Sequence, residues 1–216
     1  MYSGLSFNDL YYMAEGAGRT VYLAIWSITL GTALGLLLGW IRAKTARNPI
    51  GNLLLAGYLD IFRSIPLIIQ FILFNSIAAV VGVPMDPVTS GIVVLTLYMG
   101  AYCAEIVRGG YDAVPLPTRR AGRSLGMTYW QDLRYVVLPL GLRTIFPAWI
   151  GLVVGVVKDT ALVAVLGYIE LLRASQIVIT RTQEPILVLS GVGIFYFAIC
   201  FPISQYSKRL ERRMAI

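Results

Sequence analysis

The 216-residue sequence contains no histidine, and this absence removes the most common general base and the most common zinc ligand. It also lacks a G-x-x-x-x-G-K-[ST] loop, the motif that cradles nucleotide phosphates. The only two cysteines, Cys103 and Cys200, lie in separate apolar runs and form no ligand pair. We therefore predict no catalytic residue, no metal ligand and no cofactor in this chain. Any ATP and Mg²⁺ that its work requires must be bound by another subunit.

Charged residues are also scarce. They make up 13% of the chain, whereas 57% of the residues are hydrophobic, and the mean hydropathy is +0.73. These values are typical of integral membrane proteins and unusual for soluble domains. The net charge of +7 is concentrated between the apolar runs. This pattern favours a membrane protein that meets the cytoplasm through its loops over a nucleic-acid-binding protein.

Five apolar runs are long enough to cross a bilayer, and they predict an all-α integral membrane protein with five transmembrane helices. Arg63 and Pro66 interrupt the second run, which we expect to be tilted or broken near Pro66, because proline cannot donate its backbone hydrogen bond. The predicted spans cover residues 20–42, 53–81, 91–108, 145–167 and 186–207, within a single domain that occupies residues 1–216.

Basic residues predict the orientation. They are dense in the loop at about residues 112–143 and in the tail from Lys208 to Arg213, whereas the loop at 82–91 has none and the last loop, at about 168–185, is balanced. Because lysine and arginine accumulate on the cytoplasmic side, we expect the N-terminus outside and the C-terminus in the cytoplasm.

Glycines recur every four residues in two of the spans. Gly31, Gly35 and Gly39 form one such stripe, and Gly151 and Gly155 form another. Stripes without side chains let helices approach closely. They predict either packing within the chain or contacts between subunits.

Several charges lie at membrane depth, where an uncompensated charge costs several kcal/mol and marks a functional site by default. Lys158 and Asp159 are neighbours in the fourth run, so they cannot face each other across one side of a helix. Arg63 reaches a comparable depth, and Glu105 lies nearer the inner end of the third span. These residues form either a ligand site or an internal set of ion pairs, such as Arg63 or Lys158 with Glu105.

The loop at 112–143 contains residues that commonly start and end helices, and they predict two short helices. Pro117 suits a first helical position, and Gly126 can end the first helix with a left-handed cap. Thr128 and Gln131 are spaced as a capping box that starts the second helix. Pro139 is expected to end the second helix. Such a unit suits docking to a partner protein or lying on lipid headgroups.

This loop resembles the cytoplasmic loop of ABC importer permeases, which reads Glu-Ala-Ala, three residues, Gly, and then Ile-x-Leu-Pro. Here "RAG" occupies 120–122, Gly126 matches the glycine, and "VVLP" ends at Pro139. The similarity narrows to permeases of polar amino acid importers of the histidine, glutamine and arginine type. Its further motifs are "FRSIPLIIQ" at 62–70, "GAYCAEIVRGGYDAVP" at 100–115, "KDTALVAVLGYIELLRA" at 158–174 and "LERR" at 210–213.

The resemblance implies a multi-pass protein of the bacterial plasma (inner) membrane and a type I importer. Its expected partners are a second permease subunit, two cytoplasmic ATPase subunits and an external binding protein that delivers the amino acid. The implied substrate-binding residues, together with Glu105 from its depth, are Arg63, Ser64, Pro66, Gln70, Glu105, Lys158, Asp159 and Thr160. The implied ATPase-coupling residues are Arg120, Ala121, Gly122, Ser124, Leu125, Gly126 and Met127.

One residue departs from the family pattern. Arg120 stands where the family has a glutamate, and a reversed charge would repel the usual ATPase contact. The ATPase could compensate, the contact could be peripheral, or a different permease subunit could keep the glutamate, and we favour this heterodimer. The alternative function is an ion-coupled amino acid carrier or channel that needs no ATPase.

Overall fold

The computed structural model describes residues 4–45 and 49–214, and the part of the chain that it describes contains nine α-helices and no strand. A π-helical turn, Leu133–Val137, joins α6 to α7, and a 3-10 segment, Thr160–Leu166, follows α7. The helices are α1 Phe7–Thr45, α2 Pro49–Ser64, α3 Leu67–Val80, α4 Pro87–Asp112, α5 Leu116–Ser124, α6 Tyr129–Asp132, α7 Leu138–Asp159, α8 Leu171–Thr182 and α9 Pro185–Met214.

The helices confirm the predicted fold class. Four helical segments among the described residues are long and apolar enough to cross a membrane, and the bent pair α2–α3 makes a fifth if it counts as one span. The two arms of that pair meet at 107° beside Pro66, where the sequence predicts a break. The predicted last loop contains α8, a 12-residue helix that packs against α1 and is not among the candidate spans.

A side chain supplies hydrogen bonds to the backbone carbonyls at the break between α2 and α3. Pro66 has no N–H to donate, so the turn before it leaves a carbonyl without its helical partner. The Gln70 amide nitrogen donates to the carbonyl oxygens of Phe62 and Ile65, each at 2.8 Å. The bend therefore exposes little unpaired backbone, as an apolar environment requires.

The first glycine stripe packs against α4. A Cβ on Gly31, Gly35 or Gly39 would meet Met99, Cys103 or Val107 at 2.7, 2.3 and 2.7 Å respectively. These glycines let α1 and α4 touch, which makes this stripe an intramolecular contact. The second stripe differs, because nothing lies within 4 Å of a Cβ built on Gly151 or Gly155.

The prediction that Pro139 ends the second loop helix is wrong. Helical structure continues from Tyr129 to Leu166, and Pro139 lies in the first turn of α7. The preceding π turn explains this, because its wider ring lets the Leu138 N–H reach the Leu133 carbonyl. The end of the predicted loop, from Tyr129 onwards, therefore forms one continuous helical segment with the next span.

Candidate functional site

The two motif segments near the predicted pocket meet in one apolar cluster. Leu67 and Phe71, just after the break at Pro66, are buried together with Val163 of the 3-10 segment. Leu95 of α4 completes the contact. The segments that directly follow "FRSIP" and "KDT" are therefore neighbours in the folded chain, although about ninety residues separate them in sequence.

Lys158 and Asp159 end α7, where the helix tightens into the 3-10 segment. Asp159 is half-buried and Lys158 is exposed. No ion pair joins either of them to another described residue. Neither charge is therefore used in an ion pair, and both lie at the end of α7, just before the 3-10 segment whose Val163 packs against Leu67 and Phe71.

Two tyrosines that sequence reasoning missed connect these charges to Arg63. Tyr98 lies within electrostatic range of the Asp159 carboxyl, and its ring contacts Tyr102 at 4.8 Å between centroids. The Tyr102 hydroxyl donates to the Arg63 carbonyl at 3.2 Å, and the Arg63 guanidinium lies 5.6 Å from the Tyr102 ring centroid. The sequence contains a signal for this arrangement, because Tyr98, Tyr102 and Glu105 have the i, i+4, i+7 spacing of residues that share one helix face.

Glu105 lies in a cluster of arginines. Its Oε2 atom is 3.0 Å from Arg108 Nε and 3.8 Å from Arg63 Nη1, and its other oxygen contacts Arg42. Asp60 pairs with Arg63 at 3.2 Å, and Asp112 pairs with Arg108 at 2.6 Å. Three arginines and three carboxylates therefore share one group, which we call the Glu105 cluster. One of the predicted ion pairs, Arg63 with Glu105, is present in it.

The remaining predicted pocket residues fall into two groups. Ser64 and Pro66 are exposed at the break. Gln70 and Thr160 are buried, and the Thr160 hydroxyl donates to the Val157 carbonyl at 2.7 Å. The structure thus brings Arg63, Glu105 and Asp159 to one side of α4 and uses the side chains of Gln70 and Thr160 inside the fold.

The helix start and end signals predicted for the loop at Pro117, Gly126 and Thr128 are present in the structure. Pro117 lies in the first turn of α5, and Gly126 adopts a left-handed φ of 81° just beyond its end. Thr128 and Gln131 form the capping box, with the Thr128 N–H donating to Gln131 Oε1 at 2.8 Å. The turn at Gly126 therefore fixes α5 at an angle to the following helix.

The residues predicted to couple to an ATPase lie mostly on the outside of α5. Arg120, Ala121, Ser124, Leu125 and Gly126 are exposed. Gly122 is buried, and a Cβ there would meet the Met127 sulfur at 3.1 Å. Leu125 is 82% exposed, so its side chain is available for a contact with another protein.

Arg119 fastens α5 to the rest of the protein. Its side chain donates to Asp132 Oδ2 at 3.2 and 3.3 Å and to the Tyr111 hydroxyl at 2.6 Å. It also stacks over the Tyr111 ring at 4.3 Å. Arg119 and Asp132 are 8% and 1% exposed. This Arg119 junction joins the end of α4, the middle of α5 and the end of α6.

Similar sequences match nearly the whole length of the chain. The glutamine transport system permease protein GlnP of Escherichia coli (strain K12) is 34% identical over 206 residues, which cover 94% of this chain and 93% of that protein. The probable glutamine ABC transporter permease protein GlnP of Bacillus subtilis (strain 168) is 30% identical, with 95% of each chain covered. Both alignments span nearly the whole chain.

Solved structures share the fold. A chain from the crystal structure of an amino acid ABC transporter with histidines superposes with a TM-score of 0.86 at 27% identity, covering 98% of this chain and all of that one. A chain of the MetNI methionine ABC transporter in an inward-facing conformation gives a TM-score of 0.79 at 22% identity, which shows the fold alone. The family profile described as "Binding-protein-dependent transport system inner membrane component" matches residues 31–216. The chain belongs to this family of inner membrane components.

Proposed function

We propose that this chain is the transmembrane pathway subunit of an ATP-driven ABC importer for polar or charged amino acids or related compounds. The observation that carries the proposal is a whole-chain match to amino acid permeases, combined with two opposite charges at the end of α7, Lys158 and Asp159, that form no ion pair with a described residue. The chain itself has no nucleotide loop, so hydrolysis belongs to partner ATPase subunits. It works in the bacterial inner membrane.

The substrate pocket that we propose lies between the break in α2–α3, the side chains of Tyr98 and Tyr102, and the end of α7. Lys158 and Asp159 would meet the carboxylate and ammonium groups of a zwitterionic amino acid. Their lack of internal partners supports this role. Arg63, Ser64 and Pro66 would border the same space, with Glu105 at its edge.

The same proposal assigns partners. An external binding protein would deliver the substrate, two ATPase subunits would dock on the loops that contain α5, and a second permease subunit would complete the pathway. We favour a heterodimer, because Arg120 departs from the glutamate of the family pattern. Rocking of the spans would expose the pocket to one side of the membrane and then to the other.

Reconstitution tests the proposal against the ion-coupled alternative. The chain should co-purify with an ATPase, and proteoliposomes that contain the complex and its binding protein should accumulate the amino acid only with ATP. Uptake that is driven by an ion gradient without ATP, from a preparation that contains no ATPase, would contradict the proposal.

Asp159→Asn tests the pocket. Removing the charge should lower uptake of one amino acid class by about tenfold, the value of one lost charged hydrogen bond, while ATPase activity without substrate stays near wild type. Asp86→Asn is the matched control, because Asp86 only caps α4 and asparagine caps equally well. Equal losses of uptake and of basal ATPase activity in Asp159→Asn would favour a structural role.

Leu125→Glu together with Gly126→Glu tests the coupling role of α5. The pair should abolish uptake and leave the chain in the membrane, because it places charge on an exposed apolar contact and strains the left-handed turn. Leu125→Met keeps the apolar contact and should retain uptake. Full uptake in the double glutamate variant would exclude coupling through this helix.

A further inference from the structure

The paired arginines at the centre of α5 lie in different environments. Arg119 is buried against Asp132 and Tyr111 in the Arg119 junction, whereas Arg120 is exposed. Arg123 is exposed as well. One arginine of the doublet is therefore used inside the chain, and the other remains available to a partner.

The exposed charges on α5 have no internal compensation. The helix "LPTRRAGRS" contains three arginines and no acidic residue, and Asp132 balances only the first of them. Neither Arg120 nor Arg123 forms an ion pair with another described residue. Their spacing of three residues places them on neighbouring positions of the helix surface. The outer side of α5 is thus a basic patch.

Apolar groups lie next to this patch. Leu125 is 82% exposed, and Trp130 and Tyr135 of the following helical segment are 62% and 64% exposed. A shallow depression lined by Leu125, Gly126, Met127, Gln131 and Tyr135 lies between them. Exposed aromatic side chains beside arginines are typical of a protein interface.

The shape favours a protein partner over a lipid surface. Only Arg119 and Gly122 of α5 are buried, so this nine-residue helix projects from the rest of the chain. A helix that lies on lipid headgroups needs a long apolar face, whereas α5 has one leucine, Leu116, and Leu125 lies just beyond its end. A groove that surrounds a projecting helix can contact both its arginines and its apolar tip.

We propose that the ATPase subunit that docks on α5 presents carboxylates to Arg120 and Arg123, so that its groove is acidic. This inference rests on the proposed function and adds the charge of the partner. A groove with the basic residue that suits the glutamate of the family pattern would repel Arg120. The acidic groove is proposed for the ATPase copy that meets this chain, and in the favoured heterodimer the second permease subunit, which keeps the glutamate, would dock on the other copy.

The direction of a charge-reversal effect tests this inference. In the complex purified from its native membrane, Arg120→Glu should lower the amount of ATPase retained per permease, and uptake, by roughly tenfold, with Arg120→Gln intermediate. Raising the salt concentration should weaken retention in the wild type more than in Arg120→Gln. Arg209→Glu makes the same change on an exposed residue of α9 and should retain the ATPase.

Three results would overturn the acidic groove. Greater retention of the ATPase in Arg120→Glu would indicate a basic groove, and unchanged retention would mean that Arg120 makes no contact. If Arg120→Glu retains the ATPase as the wild type does, but its uptake in vesicles no longer requires anionic lipid, the arginines would be assigned to lipid headgroups. If the wild-type preparation retains no ATPase at all, the proposed function fails as well, so the two failures are distinguishable.

Discussion

Two groups of charges on the C-terminal half of α4 and just beyond it are built differently. In the Arg119 junction, one buried arginine meets one buried carboxylate, and a tyrosine hydroxyl completes the contact. In the Glu105 cluster, one carboxylate is shared by three arginines, and two more carboxylates lie at its exposed edge. The first arrangement allows a single pairing, whereas the second allows several.

The difference indicates separate roles for the two groups. A one-to-one buried pair resists separation, because either charge left alone in the interior is costly. A shared carboxylate can exchange partners as a helix moves, since each of Arg63 and Arg108 keeps a second acid. We expect the junction to hold α5 rigidly and the cluster to accommodate motion of the α2 arm.

Asp132→Asn should produce the largest loss of stability. Asp132 is 1% exposed, and its removal leaves Arg119 without a carboxylate at a cost of about 3 kcal/mol. The thermal midpoint of the detergent-purified complex should fall by roughly 5–10 °C, as measured by a melt that follows tryptophan fluorescence. Arg209→Gln, at an exposed position of α9, is the control and should melt like the wild type. A normal melt for Asp132→Asn would mean that the junction is not tightly held.

Glu105→Gln should affect uptake more than stability. The change leaves Arg42 without its carboxylate, but the 14% exposure of Glu105 limits the cost to about 1–2 kcal/mol. Uptake should fall by about tenfold, because the three arginines then repel one another and bias the position of α2. Uptake and melting measured on one preparation separate the two effects. A stability loss as large as that of Asp132→Asn would remove the contrast between the groups.

Tyr111→Phe should weaken the junction without breaking it. The change removes the hydroxyl that accepts from Arg119 at 2.6 Å but keeps the ring under the guanidinium. The expected cost is about 1 kcal/mol, which corresponds to roughly 2–4 °C in the melt. Tyr111→Leu also removes the ring and should cost more. Equal melts for the two variants would show that the stacking contributes nothing.

Asp60→Asn should have the smallest effect. The Asp60 side chain is 62% exposed, and exposed ion pairs contribute about 0–1 kcal/mol. Uptake and melting should both stay near wild type, since Arg63 keeps its contact with Glu105. A strong loss of uptake would show that partner exchange at Arg63 depends on this acid, and that the cluster is less redundant than the contacts suggest.

Local chemistry made part of this structure predictable. The break at Pro66, the capping box of Thr128 and Gln131, and the left-handed turn at Gly126 follow from constraints on one or two residues. Such constraints act wherever the segment lies in the fold. Long apolar runs likewise predicted the helical membrane fold.

Long-range contacts account for the structural features that local sequence patterns did not predict. Arg119 and Arg120 are identical neighbours, and only the position of Asp132 buries one and leaves the other outside. Gly141 lies against Gly110, where a Cβ would meet the Gly110 carbonyl oxygen at 2.9 Å, and this packing on α4 accompanies helix continuation past Pro139. The roles of the predicted pocket and coupling residues remain predictions.

The closure of the α2–α3 break by Gln70 has a consequence for how such sequences can change. The missing N–H of Pro66 and the two bonds from the Gln70 amide are complementary. A substitution at position 66 restores an N–H that can pair only with the Phe62 carbonyl, so the Ile65 carbonyl still needs the amide. Loss of the amide leaves carbonyls unpaired in an apolar setting. The amide should therefore be retained even in sequences where the proline is replaced.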